Sequence, residues 1–302
     1  MKNWIDFGLI RDFAAEQTDA YRLCTALEGW VERFGSDVLI SYKTDSAREQ
    51  LLAEFGAWSR AAAQPAERIF GRFLPKQNAE RIAPRLLFGD ATLPLARIVS
   101  ERGVRYAIDF GAGYSAGLFL DQRENRGFVR RKAPRRLLNC FAYTCSFSVV
   151  AALGGSSTLN VDLSRKSLDR GRENFALNRL ATDQHRFLAD DVIRVLPRLA
   201  RKGETFDAII LDPPTFSRAR TGKSWQVARD FEGLLLAALE VATRDARILL
   251  STNSTGLDQR ALEAMARFCL KASRRAGSFQ PALRPLDFPR GAGASSLWLM
   301  LR

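Results

Sequence analysis

The run Phe206-Asp-Ala-Ile-Ile-Leu-Asp-Pro-Pro-Thr-Phe216 constrains what this chain can fold into more than any other stretch. Its Ala208-Ile-Ile-Leu211 block has the pattern of a strand buried on both faces of a parallel sheet. Asp212-Pro213-Pro214 then ends it. Neither proline has an N–H for the ladder and both fix φ, so the next residues are held in a stiff turn. An acid, a rigid elbow and an aromatic (Phe216) therefore stand at the carboxyl end of a central strand, where open α/β sheets bind ligands. By themselves these residues also describe an ordinary strand end followed by a turn. The upstream sequence decides.

From about Arg136 onward, strand and helix patterns alternate, which predicts a doubly wound α/β sheet. Strands are predicted over residues 136–142, 158–163, 186–190, 206–211 and 247–252. Helices are predicted to start near Cys145, Ser164, Val192 and Ser224, with another over 257–273. Two last strands, 278–288 and 296–302, flank a turn-rich stretch at 289–294 and predict a closing antiparallel hairpin. The expected sheet is seven-stranded and mostly parallel.

Before residue 104 the pattern changes. Short strands are predicted at 20–24, 30–34 and 38–42, then a helix over 46–63 and a strand at 69–74. Residues 74–90 read as a linker, 104–110 as a strand and 119–131 as a short helix leading into the main sheet. The expected organisation is a small α+β module with its linker over residues 1–103 and an α/β domain over 104–302.

Forty-six Lys plus Arg against thirty-three Asp plus Glu give a net charge of +13, and Arg far outnumbers Lys. This excess predicts a nucleic-acid partner, although an even scatter of arginines over the surface would need none. Arg123, Arg126, Arg130, Arg131, Lys132, Arg135 and Arg136 crowd one stretch, and Arg218, Arg220 and Lys223 follow the Pro-Pro elbow. The four cysteines (Cys24, Cys140, Cys145, Cys269) lack metal-ligand spacing, so reduced thiols and a cytoplasmic location are expected. No uncharged apolar run approaches the roughly 20 residues of a membrane helix, and the first six residues lack a signal-peptide core. His185 is the one histidine, which leaves metal and Ser-His-Asp chemistry little to work with. Neither a membrane nor a metal is expected as a partner.

The first strand of the alternation runs into the loop Ala142-Tyr-Thr-Cys-Ser146, and the second ends at Asp162. In nucleotide-type folds the first loop offers backbone N–H groups at a helix N-terminus, and the second acid hydrogen-bonds ribose hydroxyls. Asp162 suits that role and equally suits a cap for the helix near Ser164. The loop has no glycine, so nothing lets the backbone approach a pyrophosphate closely. A cofactor with a ribose and no phosphate fits better, namely S-adenosylmethionine.

Three ordered segments carry a family resemblance: Gly117-Leu-Phe-Leu-Asp-Gln-Arg-Glu-Asn-Arg126, Leu138-Asn-Cys-Phe-Ala-Tyr-Thr-Cys-Ser-Phe147 and Asp212-Pro-Pro-Thr-Phe216. Together they resemble bacterial class I S-adenosylmethionine-dependent methyltransferases of large-subunit ribosomal RNA, the group of 5-methylcytosine enzymes and the 7-methylguanine domain. The likeness covers residues 104–302, and residues 18–42 resemble the family's small central domain. It implies a Rossmann-like fold and places the methionine end of the cofactor against Phe141, Tyr143, Thr144 and Ser146. Asp162 would hold the ribose and Asp191 the adenine amino group, with Asp190–Asp191 also suited to capping the next helix. Asp212 and Pro213 would line the methyl-transfer site, and Gln122 or Arg123 would cover the cofactor.

Two departures shape the expected chemistry. The cytosine-modifying members carry an RNA-binding domain ahead of the central module, and none is expected within this sequence. Those members also attack the ring with a thiolate, because cytosine C5 is not nucleophilic. Their cysteine follows the fifth strand, where this chain has Leu250-Ser-Thr-Asn-Ser-Thr255. Cys145 lies where the family has glycine and reads as a space-filling residue. The resemblance therefore points to a base nitrogen, with Phe216 stacking on an extruded base or else packing beneath its loop. The residues leave open a protein or small-molecule substrate, and also an RNA scaffold that binds cofactor without catalysis.

Overall fold

Apolar alternation in the first part of the chain builds a sheet with one face covered by helix. The computed structural model describes residues 3–75, 81–218, 224–254 and 256–302. Its first elements are β1 (Asn3–Trp4), α1 (Phe7–Ala15), β2 (Ala20–Ala26), β3 (Gly29–Phe34), β4 (Asp37–Tyr42) and α2 (Asp45–Ala61). There follow β5 (Arg68–Phe73), β6 (Arg85–Phe88), β7 (Ala96–Glu101) and β8 (Val104–Asp109). Strands β1 to β6 form a sheet in chain order, antiparallel except where α2 crosses between the parallel pair β4 and β5. Thr44 caps α2 by accepting from the Ala47 N–H at 3.2 Å. Ala47, Leu51 and Phe55 recur every fourth residue, and this stripe packs on Val31, Ile40 and Ile69.

The first unit comprises Met1–Arg123 and also Pro285–Ala292. The division expected at residues 103/104 falls earlier than the one in the structure. The reason is that β8 pairs with β7, and Phe110 just beyond it stacks on Phe70 at 4.1 Å. The stretch 74–90, read as a linker, contains β6, an edge strand on β5.

The second unit, Glu124–Arg284 with Gly293–Arg302, holds the long α/β alternation. A 3-10 turn (Leu120–Gln122) runs into α3 (Arg123–Lys132). After it come β9 (Arg136–Cys140), α4 (Ser146–Leu153), β10 (Ser157–Asp162), α5 (Arg165–Leu177), β11 (His185–Ala189) and α6 (Val192–Arg201). The remainder is β12 (Phe206–Leu211), β13 (Phe216–Arg218), β14 (Ser224–Gln226), α7 (Val227–Leu239), β15 (Ala242–Thr252), α8 (Gln259–Ala272), β16 (Gly277–Pro281) and β17 (Ser295–Leu301). The seven-stranded sheet has the order β11-β10-β9-β12-β15-β17-β16. Its first five strands are parallel, and β17 and β16 close it antiparallel. Leu138, Ile209, Leu211, Ile248 and Leu250 are buried in its core, as the continuous apolar runs require.

Two predicted elements differ in the structure. Residues 224–226 pair with 216–218 as a hairpin, and the helix starts only at Val227, where the Asp230 carboxylate accepts from the Gln226 N–H at 2.8 Å. The strand expected over 278–288 stops at Pro281, and residues 285–292 go to the first unit.

Candidate active site at the carboxyl edge of the sheet

Strand order sets where this site lies. From β9 the chain winds outward through β10 to β11, then returns to β12 and β15 on the other side of β9. The carboxyl edge at β9 is therefore a topological switch point, the place where such sheets bind ligands. Register brings the predicted residues to that edge: Cys140 pairs with both Val161 and Leu211, and Asp162 pairs with Ala189. Phe141, Asp162, Asp190 and Asp212 thus leave four neighbouring strands side by side.

The loop from β9 to α4 departs from ordinary backbone geometry. Phe141, Tyr143 and Cys145 have φ of 58°, 48° and 59°, a region costly for residues with a Cβ. The surroundings hold it there. Asp162 accepts from the Tyr143 N–H at 2.8 Å with one oxygen and from the Ser164 N–H at 2.8 Å with the other. Asn174 on α5 donates to the Thr144 carbonyl at 2.9 Å. Burial raises the Asp162 carboxyl from its ordinary value, against the two backbone donors that favour its charged form. Asp162 is thus a clamp on the loop as well as an acid beside it, a double role that its place in the sequence did not reveal.

Cys145 caps α4 in the left-handed region, with its side chain fully buried. Burial and the nearby Asp162 carboxylate push its thiol well above its ordinary range. Gly171 on α5 makes the room, since a Cβ there would lie 2.5 Å from the Cys145 sulfur. Sequence reasoning missed this pair, and an isolated glycine inside a helical pattern was the available signal.

Phe141, Tyr143 and Ser146 are half-buried at the loop, and Thr144 is buried. Asp191 accepts from the Ile193 N–H at 3.0 Å and so caps α6. Asp190 pairs with Arg198, which holds its carboxyl low despite the opposing effect of burial. Asp212 is half-buried, Pro213 buried and Pro214 exposed, as expected of an elbow leaving a central strand. Phe216 opens β13, with its side chain outside the described residues, as are the side chain of Arg218 and all of Arg220 and Lys223. Gln122 belongs to the first unit and is buried there. Arg123 is corrected as a cofactor cover: its guanidinium is fully buried, bonded to Asp287 at 2.7 Å and to the Ala20 carbonyl at 2.8 Å. Thr252, the last residue of β15, and then Asn253 and Ser254 complete the edge, with Asn253 exposed. Among the described residues, no group of three His, Cys, Asp or Glu side chains could hold a metal ion.

The donor set at this edge is two half-buried acids at strand ends and a tight loop without glycine. It suits a cofactor with hydroxyls and an amino group and no diphosphate. Sheet order, switch point and loop together fit the class of S-adenosylmethionine-dependent methyltransferases. The family profile for S-adenosylmethionine-dependent methyltransferases matches residues 39–271, and the chain belongs to that family. The ribosomal RNA large subunit methyltransferase I of Erwinia tasmaniensis is 36% identical over 219 residues, covering 68% of this chain and 54% of the relative. The protein of that name from Escherichia coli is 31% identical over 260 residues, covering 82% of this chain and 64% of its own length. This chain therefore spans between half and two thirds of the length of these relatives. Among solved structures, SMU.776, assigned as a methyltransferase and crystallised with SAH, has a TM-score of 0.83 at 25% identity, covering 97% of this chain and 78% of its own. No helix among the described residues is long and apolar enough to cross a membrane.

Proposed function

We propose that this chain transfers the methyl group of S-adenosylmethionine to a base nitrogen of ribosomal RNA. The RNA part of this reading rests on the relatives, which carry ribosomal RNA large subunit methyltransferase in their names. The nitrogen part rests on the thiols. Cys24, Cys140, Cys145 and Cys269 are all buried, at 2%, 1%, 0% and 0% exposure. Burial raises Cys140 and Cys145 far above their ordinary range and pushes Cys269 up to about 11. A thiol of that kind is inert, whereas attack on cytosine C5 needs an accessible thiolate.

When bound, S-adenosylmethionine supplies an electrophilic methyl group on a positively charged sulfur. In this reading Phe141, Tyr143, Thr144 and Ser146 surround its methionine end, Asp162 accepts from the ribose hydroxyls and Asp191 from the adenine amino group. Asp212 and Pro213 bound the space where the target nitrogen sits. A ring nitrogen has its lone pair in hand and needs alignment only, which is worth up to about 7–11 kcal/mol in well-oriented systems. An exocyclic amino group must also lose a proton, and in this reading Asp212 accepts it.

The test is methyl transfer from labelled S-adenosylmethionine to total RNA and total protein of cells lacking this enzyme, followed by nucleoside analysis. Label in an N-methylated nucleoside is the expected result. Label recovered as 5-methylcytidine would overturn the nitrogen reading, and label confined to protein would overturn the RNA reading.

A further inference from the structure

The densest charge in the sequence lies at the wrong end of the sheet for catalysis. Arg130-Arg-Lys-Ala-Pro-Arg-Arg136 places five cations in seven residues with no acid among them. It spans the last turn of α3 and the first residue of β9. The proposed site lies at the other end of β9, a strand of five residues, so the cluster stands roughly 17 Å from it. Arg123 and Arg126, part of the same run in sequence, are buried and do not contribute to this surface. Arg130, Arg131, Lys132, Arg135 and Arg136 are exposed.

Two acids, Asp207 and Glu204, meet the cluster at its β9 end. Asp207 accepts with both oxygens from backbone, the Arg135 N–H at 2.8 Å and the Arg136 N–H at 2.7 Å, so its carboxylate is engaged in fixing the chain. Glu204 serves two arginines at once, Arg136 at 3.3 Å and Arg186 of β11 at 2.7 Å. The carbonyls here are also engaged, with Ser157 N–H donating to Arg135 at 3.0 Å and the Ser156 hydroxyl donating to Pro134. The main chain is therefore held from two neighbouring strands, and the cations are presented on a fixed backbone. Favourable interaction with the C-terminal dipole of α3 accounts for cations in its last turn, at about 0.3–1 kcal/mol each. It does not account for Arg135 and Arg136 beyond the helix, nor for Arg186 beside them.

We propose that this amino-edge cluster is a second RNA-binding surface, which grips backbone phosphates of the substrate RNA away from the base being methylated. The inference rests on the RNA reading given above. Four of the five cations in the run are arginines, whose planar fork matches phosphate oxygens in pairs. Phosphate contacts position a nucleic acid without reading its sequence, so the surface contributes affinity and leaves the choice of base to the carboxyl edge.

The test is a full-length variant with Arg130→Gln, Arg131→Gln, Lys132→Gln and Arg135→Gln, compared with wild type for binding a fluorescein-labelled single-stranded RNA across a salt series. All four side chains are exposed, and Arg131→Glu alone provides a second variant should the quadruple one fold poorly. The salt dependence should flatten by roughly 0.7–0.9 log units for each phosphate that is no longer neutralised. KM for RNA should rise at least tenfold, with kcat and S-adenosylmethionine affinity unchanged. A wild type that binds RNA with variants indistinguishable from it would overturn this inference alone. A wild type that neither binds nor methylates RNA would overturn the substrate reading and this inference together. Tight, variant-sensitive binding to phosphatidylserine vesicles with no change toward RNA would assign the cluster to a membrane surface and overturn it as well.

Discussion

Cys145 shows how a single position can hide its role. Its φ of 59° favours glycine, yet its side chain fills a slot opened by Gly171 on α5. Gly171→Ala gains about 1 kcal/mol of helix propensity. It also drives a methyl to 2.5 Å from the sulfur and 3.0 Å from the Cβ of the fully buried Cys145, and overpacking of this kind costs about 1–3 kcal/mol. The steric effect should win, so the variant should melt earlier, and Cys145→Gly should relieve most of the loss in the double variant. Calorimetric melting of the four proteins checks this, and additive losses would show that the two residues do not meet. Asp162 is the second case. Because it anchors Tyr143, Asp162→Ala should weaken S-adenosylmethionine binding by tenfold or more and also speed hydrogen exchange of the loop amides. Asp162→Asn keeps an acceptor for one N–H and should lose less on both measures. A loop unchanged in Asp162→Ala would mean that the carboxylate does not clamp it.

Elements were legible in the sequence where one force dominated. Continuous apolar runs gave β9, β10, β12 and β15 to within a few residues at most points, and Ser164 and the capping acid Asp191 marked the starts of α5 and α6. Elements set by tertiary pairing were not legible. The short strand β6 carries no alternation of its own, and the β13–β14 hairpin replaces the first turn of a predicted helix because Gln226 is fixed by Asp230. At the site, the acids could be read from the ends of strands. The Asp162–Tyr143 bond and the Gly171 slot could not, because each joins elements far apart in the chain. Asp191 separates the two kinds of reading. As the cap of α6 its loss in Asp191→Ala should cost about 1 kcal/mol. Asp191→Ser keeps a hydroxyl at capping distance but is too short to reach a ligand. The serine variant should therefore recover stability in a urea titration and still bind S-adenosylmethionine poorly. Recovery of both would leave Asp191 as a cap and nothing more.

For the whole molecule, the path of the chain matters more than the order of its elements. Residues 285–292 lie between β16 and β17 of the second unit, yet they belong to the first. What holds them there is the fully buried side chain of Asp287, which accepts from the Arg123 guanidinium at 2.7 and 3.2 Å and from the Arg22 N–H at 2.8 Å. Phe288 adds a cation–π interaction, with the Arg22 guanidinium 4.1 Å from its ring. The first unit is thus completed by residues that follow β16 in the chain, so it cannot reach its final form until β9 to β16 have been synthesised. Asp287→Ala leaves Arg123 buried without this carboxylate, a change that costs about 3–5 kcal/mol when a buried pair loses one partner. The urea midpoint should fall accordingly, and a double variant, Arg123→Met with Asp287→Leu, should recover part of the loss, since both charges leave the interior together. Because β16 and β17 flank the released segment, their amides should exchange faster in Asp287→Ala than in wild type. Faster exchange confined to the first unit would show that the segment rests there without steadying the hairpin, and that the two units do not fold as a coupled pair.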